Sequence, residues 1–140
     1  MVKLPAKMKQ FCDEQQILRL ASIDGQGYPH VMPVWYVRIG NEFVVGTSKT
    51  SAKWQFMKNN SKVGWVIDTG RDVSTYKGVS FWGTVEEVTD KRTWNRAFRA
   101  IGTKYYGSPE DPDFLELYGG AGTVLFRLKP ESSFFWDYSQ

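Results

Sequence analysis

The chain has 140 residues, 41% of them hydrophobic and 16% aromatic, with 18 Lys and Arg against 15 Asp and Glu, a net charge of +3. This describes one domain with a real core and dispersed positive charge, which suits a small anionic ligand and excludes the basic stripe of a nucleic-acid binder. A single cysteine, Cys12, and a single histidine, His30, exclude an internal disulfide and a Cys/His zinc site.

No run approaches the ~20 apolar residues needed to cross a membrane. The first nine residues lack the apolar segment of a signal peptide, which predicts a cytoplasmic protein. Leu4, Met8, Phe11 and Cys12 recur at helical spacing, so a short amphipathic helix is expected over residues 4–16, with Cys12 as packing. Ile17 to Ile23 reads as a strand, and Asp24 to Gly27 as a hairpin turn whose glycines supply positive φ. Tyr28 to Ile39 is a longer strand carrying Pro29 and Pro33, which places it at an edge or a bulge because each proline removes a ladder donor. Gly40-Asn41 makes the next turn, and Glu42 to Ser48 the third strand.

The stretch from Gly46 to Asn60 is the most informative. Thr47, Ser48, Thr50 and Ser51 stand between a strand end and a short helical pattern over residues 51–59, with Lys49 and Lys53 among them. Hydroxyls, free backbone N–H groups, a positive helix end and two ammonium groups suit a phosphate. The alternative is that Thr50 or Ser51 caps the helix and the lysines are solvated. Asn59-Asn60 reads as a left-handed helix stop.

Lys62 to Asp68 is a fourth strand and Thr69 to Tyr76 a polar loop. Lys77 to Val88 is a fifth strand, with Val79, Phe81, Gly83 and Val85 on one face and Ser80, Trp82 and Thr84 on the other. A helix spans Asp90 to Tyr106, capped by Thr89 or Asp90, and one or two helical turns follow over Asp113 to Tyr118. Gly119 to Gly122 is a flexible join, Thr123 to Leu128 a sixth strand, and Phe134 to Tyr138 another short strand. Six or seven strands joined mostly by hairpins predict a mostly β fold, an antiparallel barrel with flanking helices. No linker divides the chain, so residues 1–140 read as a single domain.

In this order the features resemble the pyridoxamine 5'-phosphate oxidase-like flavin-binding split barrels. The segment from Leu18 to Val37 resembles their opening hairpin. Phe43 to Thr47, Ser51 to Lys53 and Asn59 to Val63 continue the likeness in register. Gly78 to Val88 resembles a later strand, and Phe126 to Pro130, six residues ahead of Trp136, the closing one.

The resemblance implies a six-stranded antiparallel split β-barrel, a homodimer with flavin mononucleotide (FMN) in the subunit interface, and oxidoreductase activity on a small-molecule substrate. It implies that His30, Val31, Met32, Pro33, Val34 and Trp35 line the isoalloxazine and ribityl chain. Gly46 and Thr47 are expected beside the phosphate, which Ser51 and Lys53 contact. Gly78 offers backbone from the partner strand, and Trp136 is a candidate wall for the ring. Ala52 stands where the pyridoxamine phosphate oxidases have arginine, and His30 likewise replaces an arginine, which weighs against pyridoxamine oxidation.

Two further readings keep the fold. One exchanges FMN for the deazaflavin coenzyme F-420, and the other is a flavin- or haem-binding module without turnover. His30 is either a cofactor contact or proton donor, or a hydrogen-bonded strand residue. Tyr105, Tyr106 and Tyr118 either line a substrate pocket or pack a helix onto the barrel. Arg71 and Lys77 either meet an anionic substrate or lie in solvent.

Overall fold

Two strands that follow one another in sequence form the two opposite edges of the same sheet, and this closes the barrel. The computed structural model describes residues 2–140. In chain order these are α1 (Ala6–Glu14), β1 (Leu18–Ile23), β2 (Pro29–Val34), β3 (Val37–Ile39), β4 (Glu42–Ser48) and α2 (Ala52–Asn59), then β5 (Lys62–Thr69) and β6 (Lys77–Glu87). The helices α3 (Lys91–Tyr106) and α4 (Pro112–Tyr118) precede the last strand, β7 (Thr123–Asp137). Every pairing is antiparallel, in the order β2-β1-β5-β6-β7-β4-β3. Only Trp35 and Tyr36 separate β2 from β3. A two-residue link cannot span an open sheet of seven strands, so the sheet curls until its edges meet.

The strand count is seven rather than six, and two elements differ from the sequence expectation. The long strand over Tyr28–Ile39 is two strands, β2 and β3, because the chain leaves one edge at Trp35 and joins the other at Val37. Conversely, Thr123–Leu128 and Phe134–Asp137 belong to one strand, β7, and Tyr138 lies just beyond its end. Pro130 does not end it: Gly83 pairs with Pro130 and Trp82 with Ser132, so Glu131 is the extra residue of a bulge. Gly83 permits the close approach, since a Cβ there would stand 2.0 Å from the Lys129 carbonyl oxygen. Gly83→Ala is therefore expected to cost about 1–3 kcal/mol of stability, as overpacking does; an unchanged denaturation midpoint would contradict the bulge geometry.

Other signals hold. Gly27 and Gly40 turn the two hairpins with φ of 88° and 64°. The proline-bearing β2 lies at an edge. Asp90 caps α3, its Oδ2 accepting the Thr93 N–H at 2.9 Å. Asn60 is not left-handed, with φ of −141°; the chain leaves α2 directly into extended backbone. Among the described residues no helix is long and apolar enough to cross a membrane.

β4 explains how the core is divided. Phe43 and Val45 point into the barrel with Leu18, Leu20, Trp65, Phe81 and Phe126. Val44 points outward, beneath α3 and α4, with Val37, Ile101, Phe114 and Leu125. A strand covered on both faces reads as a continuous apolar run, which is what Phe43-Val44-Val45 is.

The opposite stretch of sheet is bare. Registers across it place Val31, Ala21, Gly64, Trp82 and Ser132 in one row, and Pro33, Arg19, Val66, Ser80 and Phe134 in the next. Val31, Trp82 and Phe134 are each at least half exposed.

Candidate functional site

At the end of β4 the chain turns straight into α2, and this local geometry builds a cationic corner. Ser51 caps α2, its Oγ accepting the Trp54 N–H at 3.3 Å. The Thr47 hydroxyl donates to that same oxygen at 3.1 Å, and Lys53 Nζ donates to Thr47 Oγ1 at 3.1 Å. Lys53 is half-buried and, among the described residues, has no carboxylate within ion-pairing distance. Burial alone lowers its pKa below that of a free lysine. A partly desolvated ammonium with only a hydroxyl for company is poised to accept an anion.

That corner faces a cavity of about 710 Å³, the size of a small-molecule site. Pro33, Val34 and Trp35 form one wall, at the point where the chain crosses from β2 toward β3. Gly46, Thr47 and Ser48 form the floor, and Lys53 one end. Glu116, Leu117 and Tyr118 from α4 also line it, with Gly120, Gly122, Thr123 and Ile17, and the Tyr118 ring stacks beside Trp35 with centroids 6.2 Å apart. Gly46 has to be glycine here, because a Cβ would stand 2.9 Å from Cε1 of Tyr118.

Trp35 is held from behind. Its indole stacks on Tyr105 at 4.3 Å between centroids and 9° between planes. The next residue, Tyr36, lies in the link and has no ladder partner, so α3 satisfies its backbone. The Tyr36 N–H donates to the Tyr105 hydroxyl at 3.0 Å, and the Tyr36 carbonyl accepts from Lys104 Nζ at 3.2 Å. Tyr105 in turn donates to the Gln16 carbonyl at 2.7 Å. Lys104 also sits 3.7 Å above the Tyr36 ring.

Burial pushes Lys104 down to about 8, while Asp13 and Cys12 pull it back up. Between that value and about 10.4, where a free lysine titrates, the unfolded chain holds a proton that the folded chain has released. Wild-type stability relative to Lys104→Met should therefore rise across that interval. A pH-independent difference between the two melting curves would contradict the buried ammonium.

The predicted site residues fall into two groups. Pro33, Val34, Trp35, Gly46, Thr47 and Lys53 line one cavity, and Ser51 is bonded to its floor. Ala52 is exposed on the first turn of α2 and is not part of the lining, and Lys49 is exposed to solvent. His30 is also outside the cavity lining. Its Nε2 donates to Asp24 at 2.8 Å, which holds the Asp24 carboxyl below its usual range, and its ring lies 4.8 Å from Phe56. Val31 and Met32 are exposed. Gly78 and Trp136 face each other across β6 and β7, where a Cβ on Gly78 would stand 2.5 Å from the Trp136 ring. Of the three tyrosines, Tyr118 lines the cavity, while Tyr105 and Tyr106 pack against Trp35. Arg71 is exposed, and Lys77 is 5.2 Å from the Phe11 ring, away from this cavity.

Sequence reasoning missed Ile17, Glu116, Leu117 and the backbone of Gly120 and Gly122. The run of glycines after Tyr118 was the available signal for a chain passing close to a ligand space.

A curled antiparallel sheet with flanking helices, and a cavity where its two edges meet, defines the fold as a split barrel. The family profile described as pyridoxamine 5'-phosphate oxidase matches residues 4–137, and the chain belongs to that family. Among solved structures, the conserved hypothetical protein Rv2991 of Mycobacterium tuberculosis is 25% identical with a TM-score of 0.86, the match covering 99% of this chain and 87% of that one. HutZ of Vibrio cholerae, described as a haem storage protein, is 20% identical with a TM-score of 0.77, covering 97% and 95%. General Stress Protein 26 of Bacillus anthracis is 19% identical with a TM-score of 0.68, covering 92% and 90%. The last two likenesses concern the fold alone. No curated protein sequence matches the chain.

Proposed function

We propose that this chain is an FMN-binding oxidoreductase of small molecules, working as a homodimer. The observation that carries the reading is Lys53: half-buried, without a carboxylate partner among the described residues, and bonded to Thr47 at a cavity large enough for a nucleotide-sized ligand. In this reading Lys53, Thr47 and the Ser51 corner take the phosphate. Gly46 lets the ligand lie close to the β4 backbone, and Val34 and Trp35 flank the ring. The flavin supplies the redox chemistry when bound. The chain's own part is to anchor the phosphate, orient the ring and keep water from one side of it.

The bare sheet face supports the homodimer. It carries Val31, Trp82 and Phe134 among small residues and the Arg19–Asp68 ion pair, and it includes Pro33, which also lines the cavity. A second copy seated there would bring its own Gly78 and Trp136 toward the first copy's site. That accounts for two expected cofactor residues lying away from the cavity within one chain. His30, Val31 and Met32 stand on the edge strand beside the same seam.

The deazaflavin alternative shares the phosphate contact. The haem alternative has no histidine in the cavity lining, because His30 is tied to Asp24 outside it, which leaves Tyr118 as the lining residue able to ligate iron. Calorimetric titration with FMN and riboflavin tests the assignment. FMN is expected to bind about tenfold or more tightly, the contribution of a charge-assisted contact. Equal affinities would overturn the role given to Lys53.

A further inference from the structure

The link between β2 and β3 is only Trp35 and Tyr36, and neither residue has a strand partner. Buried backbone groups off the ladder need other partners, and Tyr36, fully buried, finds them on the helices and the turn that leaves α1. Its N–H donates to the Tyr105 hydroxyl at 3.0 Å, and its carbonyl accepts from Lys104 Nζ at 3.2 Å. Its own hydroxyl donates to the Cys12 and Gln15 carbonyls. Lys104 also sits 3.7 Å above the Tyr36 ring, so one ammonium grips both the backbone and the side chain of the residue after Trp35.

The grip reaches the cavity wall. Trp35 precedes Tyr36 in the chain, lines the cavity, and stacks on Tyr105, which is next to Lys104 on α3. Indole, link and helix are therefore fastened as one unit. Lys104 itself is not part of the cavity lining.

Charged and titratable groups face Lys104 from each element around it. α1 brings Asp13 and Cys12, the link brings Tyr36, and α3 brings Tyr105. Arg38 of β3 is hydrogen-bonded to Asp13 through two of its nitrogens. Burial raises Cys12 and Tyr105 to about 12 and raises Tyr36 as well, whereas it lowers Lys104 to about 8. Of the thiol, the phenols and the ammonium in this cluster, only the ammonium changes charge in mildly alkaline solution. A neutral lysine keeps N–H donors but loses the charge that strengthens its bond to the carbonyl and its attraction to the ring.

We infer that Lys104 is a positioning residue for the cavity: its ammonium clamps the Tyr36 link that aims Trp35 into the lining, and loss of its proton slackens that clamp. The inference concerns how the wall is held, and it stands on the chain alone, whatever ligand the cavity takes.

The test is fluorine NMR of the full chain labelled with 5-fluorotryptophan, which puts one reporter on each of the six tryptophans. The Trp35 resonance is the one lost in Trp35→Phe. Titrated from about pH 6.5 to about 9.5, a range that reaches from neutrality toward the pKa of a free lysine, it is expected to shift along a single curve. Its midpoint should lie near 8, and its shift should exceed those of the other tryptophans. Lys104→Arg, which stays charged, should abolish the titration. Lys104→Met should also abolish it and leave the resonance near its high-pH position.

A Trp35 resonance that does not move with pH in the wild type would overturn the inference, as would one that titrates equally in Lys104→Arg. Lys104→Arg keeps the charge, so it decides the matter if Lys104→Met does not fold. No cofactor is added, so failure of FMN to bind would leave this result standing, and failure of the clamp would leave the flavin reading intact.

Discussion

Lys53→Ala is expected to weaken FMN binding by about 1–3 kcal/mol, roughly 5- to 150-fold, while leaving the fold intact. The size follows from what the side chain does. Its ammonium donates to Thr47 Oγ1 and, among the described residues, has no carboxylate partner. Its removal therefore strips the cavity of its only cation without stranding a buried acid.

Stability should change little, since a desolvated lysine with no counter-ion contributes none of the attraction that a pair would. The sign of the pH dependence is fixed by the same geometry. Burial lowers the Lys53 pKa, so in the folded protein the charged form is the disfavoured one. A phosphate dianion pairs only with the ammonium, so affinity should hold at neutral pH and fall as pH rises through the depressed pKa. Lys53→Arg, which stays charged, should remove that fall. Fluorescence titration across pH measures both effects, and unchanged affinity in Lys53→Ala would remove the lysine from the site.

The second large effect concerns the bare sheet face. Trp82 lies near its centre, paired with Gly64 on one side and Ser132 on the other, and is half exposed. Trp82→Asp puts a charge where the homodimer would bury an indole. The expected loss is about 2–4 kcal/mol of association, or on the order of 100-fold in the dimer dissociation constant, the scale of an interface hot spot. Because Trp82 packs outward, the barrel itself should still fold. Sedimentation should show a monomer, and bound flavin should be lost with the partner's contribution to the site. A variant that stays dimeric would place the interface elsewhere. A monomer that keeps its flavin would show that one chain suffices.

How much of this was legible in the sequence depends on how local each feature is. The β6 alternation of Val79, Phe81, Gly83 and Val85 against Ser80, Trp82 and Thr84 can be read directly, because strand faces follow a period of two. The Ser51–Lys53 corner was legible too, since a cap and the next turn of a helix are neighbours in sequence. The Trp35–Tyr36 crossing was not: both residues are aromatic and continue an apolar strand pattern, and only the closure of the sheet makes them a link. Thr123–Leu128 and Phe134–Tyr138 read as two strands because the bulge that joins them at Glu131 depends on Gly83, far away in the chain. The α4 wall was illegible for a similar reason. Glu116, Leu117 and Tyr118 reach the cavity because Phe114 is buried among Phe98, Tyr106 and Tyr118, a packing choice with no signature at the cavity itself.

The most direct test of the central claim is an absorption spectrum of the purified protein, incubated with FMN and passed through a desalting column. A parallel sample carries the deazaflavin. The account predicts flavin bands that travel with the protein and weaken in Lys53→Ala. Protein that emerges without flavin while retaining the deazaflavin would contradict the cofactor assignment, and protein that retains neither would contradict the site.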